Sequence, residues 1–389
     1  MWWFSVPKIV FGEDAIQEIE LLKGTKAFIV TDKFINRTGY PGKISDILTG
    51  CQWEVAIWDQ AEPDPRVSTV KEAAEAMASF CPDWIIAIGG GSVMDTAKAS
   101  WLLYEHPETQ LEAVTPLEPI DIRNKARLIC IPTTAGTGSE ATKAIVLRED
   151  KTGRKFATQN PELVPDMAIL EPEFVKGLPK DLTAYTGMDA LTHAVEGYVS
   201  VWKNDYSDAC SMKAIKMIFE WLPKSIGDLS DLEAREKMQV AANLAGMSFS
   251  NSQVALAHSL GHCLGSVHRI QHGSAVGMAL PYTIEYNLVE VEAARHYQEL
   301  AALVGISYKN PKRAAMEFAS KIRELMKEIG APISLKKAGI AKTDFTKKMD
   351  KLIEFTMMDS SITMNPRFVD SEGLKKIYKY MYTGKVIDF

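Results

Sequence analysis

The sequence lacks the features that would direct it to a membrane, to the cell exterior or to nucleic acid. No apolar run in its 389 residues approaches the length of a membrane-spanning helix. The N-terminus, MWWFSVPKIV, has neither the basic segment nor the apolar core of a signal peptide. The formal net charge of -6 is small for this length and gives no reason to expect nucleic acid as a partner. We therefore expect a cytoplasmic protein that binds neither membranes nor nucleic acid.

Cysteine is scarce, and its arrangement excludes a disulfide framework. The five cysteines are Cys51, Cys81, Cys130, Cys210 and Cys263. Their number is odd and no CxxC pair occurs, so we expect reduced thiols, several of them buried. Repeats and low-complexity segments are also absent, and the chain is too long for one ordinary core, so we expect two globular domains.

The first half of the chain alternates short apolar runs with helical patterns. The predicted strands are Lys26–Thr31, Trp53–Trp58, Trp84–Ile88 and Arg127–Ile131. A helical segment with regularly spaced alanines lies between Asp64 and Phe80. Strands separated by helices predict a parallel α/β sheet with crossover connections.

After Pro179 the sequence reads as entirely helical. Apolar residues recur at helical spacing in Ala184–Val201, Ser207–Leu222, Glu233–Met247, Val291–Val304 and Lys312–Ile329. We place the domain boundary at Pro179, which gives domains of residues 1–179 and 180–389, with Asp181 or Thr183 as the cap of the first helix. A cleft between two such domains is a natural ligand site.

A glycine-rich loop follows the third predicted strand and opens a helix. It contains Gly89, Gly90, Gly91, Ser92 and Asp95. Glycines let the backbone approach a ligand closely, and a helix N-terminus favours phosphate. The alternative is a tight turn in which Ser92 and Asp95 form a capping box. The GxGxxG fingerprint of an ordinary Rossmann dehydrogenase is absent.

Two further segments suit a nucleotide. Asp32 ends the first clear strand, where an acid could accept bonds from a ribose and repel a 2′-phosphate, but a helix cap is an equal alternative. Residues 132–140 (PTTAGTGSE) follow the fourth strand. Loops rich in hydroxyls and glycine can bind phosphates, although many are plain turns.

Histidines and one aspartate suggest a metal site in the helical half. Asp189 and His193 are four residues apart and share a helix face, although for that pair alone an intrahelical hydrogen bond is the favoured interpretation. Four of the seven histidines follow closely together: His258, His262, His268 and His272. Imidazole and carboxylate groups together suit Fe(II), Zn(II) or a similar ion. His268 reads as a surface or entrance residue.

The ordered motifs resemble those of the iron-containing (group III) alcohol dehydrogenase family, over nearly the whole chain. They are PKIVFG at 7–12, GGGSVMDTAK at 89–98, PTTAGTGSE at 132–140, GMDALTHAVE at 187–196, FSNSQVALAHSLGH at 249–262 and QHG at 271–273. The set in this order is highly specific, although each piece alone is not.

The resemblance implies a dehydroquinate synthase-like fold, with a Rossmann-like dinucleotide-binding domain, a helical domain and a metal in the cleft. The implied metal ligands are Asp189, His193, His258 and His272. The implied cofactor contacts are Asp32, Gly89, Gly90, Gly91, Ser92, Asp95, Thr133, Thr134, Thr137, Ser139 and Lys155. His262 would relay a proton near the nicotinamide, and Asp95 joins it in the predicted catalytic group.

The implied activity is metal-dependent, reversible hydride transfer between a small alcohol, primary or diol, and NAD(P). We expect Fe(II), with Zn(II) or another divalent ion as alternatives, and NAD in preference to NADP because of Asp32. A homodimer or higher oligomer is expected, since closed dimers are the commonest assemblies. Two departures from the family pattern are Cys263, which could be oxidation-sensitive, and the loop at 265–270.

Three other functions remain open at this point. A dehydroquinate synthase-like lyase would use NAD only transiently, but few basic residues for a phosphorylated substrate lie near the histidines. A glycerol dehydrogenase-type enzyme would oxidise polyols. A non-catalytic metal- or nucleotide-binding protein would have no need for the complete set of motifs.

Overall fold

The computed structural model describes residues 3–389, so Met1 and Trp2 lie outside the described residues. The chain divides after Gly177 into two compact units. All five cysteines are free thiols, and Cys130 and Cys263 are buried. In the described part of the chain, no helix combines the length and the apolar character that a membrane crossing requires.

The first unit is built on a parallel sheet. Its strands are β1 (Lys8–Phe11), β2 (Lys26–Val30), β3 (Glu54–Trp58), β4 (Trp84–Gly89), β5 (Arg127–Pro132), β6 (Ala144–Arg148), β7 (Lys155–Gln159) and β8 (Met167–Leu170). Six of them form one parallel sheet in the order β1-β8-β5-β4-β2-β3, while β6 and β7 form an antiparallel hairpin. The predicted parallel α/β domain is therefore confirmed.

The strand order reverses between β2 and β4, and this reversal locates the expected ligand edge. From β2 the chain continues to β3 on one side, whereas from β4 it continues to β5 on the other. Ligands of open α/β sheets bind at the carboxyl ends of the strands where the order reverses. Asp32 follows β2 and Gly90 follows β4, so both candidate nucleotide segments lie at this edge.

Helices cover both faces of the sheet because its strands are apolar on both faces. The helices of this unit are α1 (Lys33–Arg37), α2 (Tyr40–Gly50), α3 (Val67–Phe80), α4 (Gly91–Glu105) and α5 (Glu173–Lys176). All six residues of β4 are buried. One core lies between the sheet, α3 and α4, and the other lies between the sheet and α2.

The second unit is helical, as predicted, and residues 178–389, all of them described, contain no strand. Its helices are α6 (Lys180–Val199), α7 (Asp205–Gly227), α8 (Leu232–Ser252), α9 (Leu256–His268), α10 (His272–Asn287), α11 (Val291–Leu303), α12 (Pro311–Glu328), α13 (Lys342–Met358) and α14 (Ser371–Thr383). A short 3-10 turn, Ser360–Met364, follows α13.

Two glycines let α10 approach its neighbours closely. A Cβ on Gly273 would lie 2.1 Å from the carbonyl oxygen of Tyr185 in α6, and a Cβ on Gly261 would lie 2.3 Å from Val276 Cγ1. Neither position has room for a side chain. The first turn of α10, which carries His272, is therefore held directly against α6, which carries Asp189.

Several local predictions are wrong. Helix α4 begins at Gly91 without a side-chain cap, so Ser92 and Asp95 form no capping box. Helix α6 likewise begins after Pro179 without a side-chain cap, because the Thr183 hydroxyl donates to the carbonyl of Pro179 instead. The predicted loop at 265–270 is mostly helix, since α9 extends to His268 and ends at Arg269 in the left-handed conformation.

Candidate metal centre and nucleotide loops

Three of the four predicted metal ligands converge inside the second unit. The ligand atoms of Asp189, His258 and His272 all lie within 4.8 Å of one another. Asp189 Oδ1 lies 3.3 Å from His272 Nε2 and 3.8 Å from His258 Nε2. These side chains come from α6, α9 and α10, which explains why 83 residues of sequence separate atoms that nearly touch.

The donor set fits a divalent ion. Asp189 Oδ1 and His258 Nε2 are buried and have no hydrogen-bond partner among the described residues. Buried polar atoms without a protein partner carry a large free-energy cost, so two such atoms this close together indicate a site that binds a ligand. One carboxylate oxygen and imidazole nitrogens are donors that Fe(II) and Zn(II) accept.

His193 lies beside this cluster rather than within it. Its Nδ1 is 4.0 Å from Asp189 Oδ1, and its ring stacks on Phe249 at 4.1 Å and on His258 at 4.5 Å between centroids. That Nδ1 atom is also buried without a hydrogen-bond partner in the described chain. The fourth predicted ligand is thus adjacent to the other three, on the same face of α6 as Asp189.

Burial and mutual charge set the protonation states of the cluster. Burial lowers the pKa of His193 to about 3 and holds the pKa of His258 well below its ordinary value. Burial acts to raise the pKa of Asp189, but the charges of His193 and His272 outweigh it and hold that pKa well below its usual range. Neutral imidazoles and an ionised carboxylate are the forms that bind metal.

Glu196 supports the cluster from behind and was not among the predicted site residues. Its carboxylate lies 2.6 Å from His258 Nδ1 and accepts the backbone N–H of Ala257 at 2.5 Å. Burial raises the pKa of Glu196 to about 7. A carboxylate on the second nitrogen of a ligating histidine fixes its ring and tautomer. Glu196 lies seven residues after Asp189 on the same face of α6, and this spacing could have identified it in the sequence.

His262 and His268 occupy different environments on α9. The His262 ring lies 5.7 Å from His258 and 5.4 Å from His272 between centroids, so it borders the cluster. The His268 side chain is only 1% exposed and lies 3.1 Å from Asp344 Oδ2. The expectation that His268 is a surface residue is therefore wrong, although the residue lines a cleft with Arg269 and Gln271.

The two candidate nucleotide loops of the first unit adjoin each other. The backbone N–H of Thr133 donates to the carbonyl of Gly89 at 3.0 Å, since β4 and β5 are paired neighbours. A Cβ on Gly91 would lie 3.0 Å from Thr137 Cγ2, and one on Gly90 would lie 3.5 Å from Thr134 Cγ2. Gly91 therefore lets the hydroxyl-rich loop pack closely against the start of α4, whereas Gly90 has room for a Cβ.

Two side chains of α4, Lys98 and Asp95, fix the far end of this loop. Lys98 is fully buried, and its ammonium donates to the carbonyls of Ser139 at 2.7 Å and Thr142 at 2.8 Å. Asp95 accepts from Ser139 Oγ at 3.2 Å and from the Val146 N–H at 3.1 Å. Burial raises the pKa of Asp95 to about 6. Both side chains tie α4 to the loop and to the β6–β7 hairpin.

Asp32 and Lys155 already have partners within the first unit. Asp32 Oδ1 caps α1 by accepting the N–H groups of Phe34 at 2.8 Å and Ile35 at 2.9 Å, so the cap considered in the sequence exists. Lys155 lies on β7 and forms an ion pair with Asp64. Ser92 lies in the first turn of α4, beside the glycines.

Comparison with known proteins agrees with the fold and the motifs. The family profile "Iron-containing alcohol dehydrogenase" matches residues 7–172, and "Fe-containing alcohol dehydrogenase family, C-terminal" matches residues 183–382. The NADPH-dependent butanol dehydrogenase of Clostridium saccharobutylicum is 38% identical over 100% of both chains. A crystal structure of 1,3-propanediol oxidoreductase superimposes with a TM-score of 0.91 at 32% identity, covering 98% of this chain and 100% of that one.

A longer relative is similar over part of its length. Aldehyde-alcohol dehydrogenase 2 of Entamoeba histolytica is 39% identical over 98% of this chain but only 46% of its own length. The chain thus spans all of the first relative and about half of this one. It belongs to the iron-containing alcohol dehydrogenase family. Its activity class is the NAD(P)-dependent oxidation of alcohols and reduction of aldehydes.

Proposed function

We propose that this chain is a metal-dependent dehydrogenase of small primary alcohols or diols, with Asp189, His193, His258 and His272 as its metal ligands. The observation that carries the proposal is the buried convergence of Asp189, His258 and His272, with partnerless atoms on the first two. A bound Fe(II) or Zn(II) ion would supply a Lewis acid for an alcohol or carbonyl oxygen, and NAD would supply the hydride acceptor.

The chain's own residues prepare this chemistry. Glu196 holds the His258 ring so that its Nε2 faces Asp189. Burial keeps His258 neutral, whereas the neighbouring histidines keep Asp189 ionised against the effect of burial. His262 borders the cluster with its side chain 29% exposed, compared with 3% for His258. We assign the movement of a proton between the site and solvent to His262, because its imidazole can accept and donate a proton and its side chain reaches solvent at the edge of the cluster.

Dinucleotide binding is assigned to the first unit. The N-terminus of α4 and the glycines before it offer backbone N–H donors to a pyrophosphate, and Ser92 lies in the same turn. We include Thr133, Thr134, Thr137 and Ser139 because their loop packs on these glycines. Lys155 and Asp95 are retained as cofactor contacts from the family pattern, and Asp95 also as a member of the catalytic group.

We propose NAD as the preferred cofactor because Asp32 follows β2 at the point where the strand order reverses. The butanol dehydrogenase relative is named as NADPH-dependent, so the preference requires a direct test. Asp32→Ser keeps a side-chain oxygen that can cap α1 but removes the charge. We expect this variant to raise the ratio of kcat/KM for NADP to kcat/KM for NAD. An unchanged ratio would remove the basis for the preference.

The names of the relatives guide the choice of substrates to test. Butanol and 1,3-propanediol are named for two similar proteins, so a panel begins with 1-butanol, 1-propanol, 1,2-propanediol, 1,3-propanediol and glycerol. The protein is stripped with a chelator, reloaded anaerobically with Fe(II) or with Zn(II), and assayed with NAD and NADP. His258→Ala is assayed in the same way, and His106→Ala, which removes a histidine of the first unit outside the cluster, is its matched control.

The expected result is metal-dependent reduction of NAD with one NADH released for each aldehyde formed. Absence of turnover with every alcohol, aldehyde and ion would contradict the proposal. Turnover without net NADH would favour the lyase, which uses NAD transiently. We also propose a cytoplasmic enzyme that assembles as a dimer or higher oligomer, which size-exclusion chromatography with light scattering would test.

A further inference from the structure

His262 is paired with an acid that lies 97 residues further along the chain. Its Nδ1 lies 2.8 Å from Asp359 Oδ2. Asp359 ends α13, and its other oxygen accepts the Ser259 hydroxyl at 3.0 Å and the Ser361 N–H at 2.9 Å. The carboxylate is therefore fixed by donors from α9 and from the turn after α13, and one oxygen remains directed at His262.

This contact determines which nitrogen of His262 carries the proton in the neutral ring. Burial acts to raise the pKa of Asp359, but the hydrogen bond from His262 and the His262 charge hold that pKa well below its usual range. An ionised carboxylate can only accept, so Nδ1 must be the protonated nitrogen of His262. Nε2 is then the nitrogen with a free lone pair.

We propose that Asp359 is a positioning residue, which fixes the ring orientation and tautomer of His262 so that Nε2 is the atom available for proton transfer. The inference rests on the proposed function, in which His262 moves the proton. The arrangement of an acid behind a proton-transferring imidazole is one that enzymes use to hold the productive tautomer. Nothing in the sequence near Asp359 indicates this role.

A purely structural role is the competing explanation, because Asp359 also begins the 3-10 turn Ser360–Met364. Asp359→Asn separates the two roles. The amide oxygen can keep the bonds from Ser259 and Ser361, which places the amide NH₂ against His262 Nδ1. A donor at that place forces the opposite tautomer, with the proton on Nε2, while the turn remains capped.

The first readout does not depend on turnover. Nitrogen-15 NMR of histidine-labelled, metal-free protein reports the protonated ring nitrogen, and His262→Ala identifies the His262 signals. We expect Nδ1–H in the unsubstituted protein and Nε2–H in Asp359→Asn. The same tautomer in both proteins would overturn the inference. Because this measurement needs no activity, a failure of the proposed dehydrogenase function is distinguishable from a failure of the role of Asp359.

The second readout is kinetic, on the reloaded enzyme. We expect Asp359→Asn to lower kcat by about 10- to 100-fold, which is part of the usual contribution of acid–base catalysis, with KM and metal content unchanged. In the His262→Ala background the same substitution should cause no further loss. Equal losses in both backgrounds would show that Asp359 acts independently of His262 and would overturn the inference.

A second histidine–acid pair, which joins α9 to α13, provides the matched control. Asp344 Oδ2 lies 3.1 Å from His268 Nδ1, and the Asp344 side chain is 43% exposed. Asp344→Asn makes the same chemical change beside a histidine that has no assigned role in proton transfer. We expect its kcat to remain within about twofold of the unsubstituted enzyme. A loss equal to that of Asp359→Asn would contradict a specific role for Asp359.

Discussion

Replacing Lys98 with methionine should lower the free energy of unfolding of the first unit far more than replacing a surface lysine does. The Lys98 ammonium is fully buried and lies 2.7 Å from the Ser139 carbonyl oxygen, 2.8 Å from the Thr142 carbonyl oxygen and 3.3 Å from that of Ala144. Methionine fills a similar volume but donates no hydrogen bond. Buried acceptors then lose their partner, and the Asp95 carboxylate loses a nearby positive charge.

The expected loss in the free energy of unfolding depends on whether the partners of Lys98 are left without compensation. Replacing every member of a buried ionic network by apolar groups can be nearly neutral, but removing one partner leaves the others uncompensated and costs about 3–5 kcal/mol. Each carbonyl left without a donor costs about 1–3 kcal/mol, which agrees with that range. We therefore expect Lys98→Met to lower the free energy of unfolding of the first unit by about 4 kcal/mol.

Amide hydrogen exchange in β5, followed by mass spectrometry, measures this free energy for the first unit alone. Lys43→Met is the matched control, because its ammonium is 3.1 Å from Glu173 and the Lys43 side chain is 43% exposed. Exposed ion pairs contribute about 0–1 kcal/mol. A loss for Lys98→Met no larger than for Lys43→Met would refute the reasoning that this ammonium holds the loop to α4.

Three other predictions concern individual side chains. Glu196→Gln should weaken metal binding by about 10- to 100-fold in a metal titration, because Glu196 orients the ligand His258. Unchanged metal affinity would contradict that role. Cys263 should resist iodoacetamide in the folded protein while exposed Cys81 reacts, because burial raises the Cys263 pKa to about 12; labelling at equal rates would disprove this. Burial raises the pKa of Asp95 to about 6, so neutral Asp95 contributes stability that is present below its unfolded pKa and lost as pH rises through 6. Asp95→Asn should therefore gain about 2 kcal/mol relative to the unsubstituted protein between pH 4 and pH 7 in denaturant titrations, and a pH-independent difference would count against it.

Strongly apolar segments were predictable because burial dictates their composition. The four predicted strands correspond to β2, β3, β4 and β5 within a residue or so. Four strands were missed: β1 and β8 have only four residues each, and β6 and β7 pair only with each other. The sequence prediction placed a loop at 265–270, which is too long, because only Arg269–Gln271 lies between α9 and α10.

The site residues also differ in whether the sequence alone could identify them. The order of motifs was enough to select Asp189, His258 and His272, and the structure brings them together. Asp359 could not be found from local spacing, because its contact with His262 exists only after α13 packs against α9. Side-chain directions are set by tertiary packing. Residues that contact a site residue from a distant part of the chain can therefore be identified only in the three-dimensional structure, whereas the residues of a motif can be identified in the sequence.

Metal content tests the central claim most directly. Elemental analysis by inductively coupled plasma mass spectrometry is applied to the purified protein, His258→Ala and His262→Ala after identical loading with Fe(II) or Zn(II). The account predicts about one ion per chain in the unsubstituted protein and in His262→Ala, and none retained by His258→Ala. Equal metal content in His258→Ala and the unsubstituted protein would contradict a metal centre built on Asp189, His258 and His272.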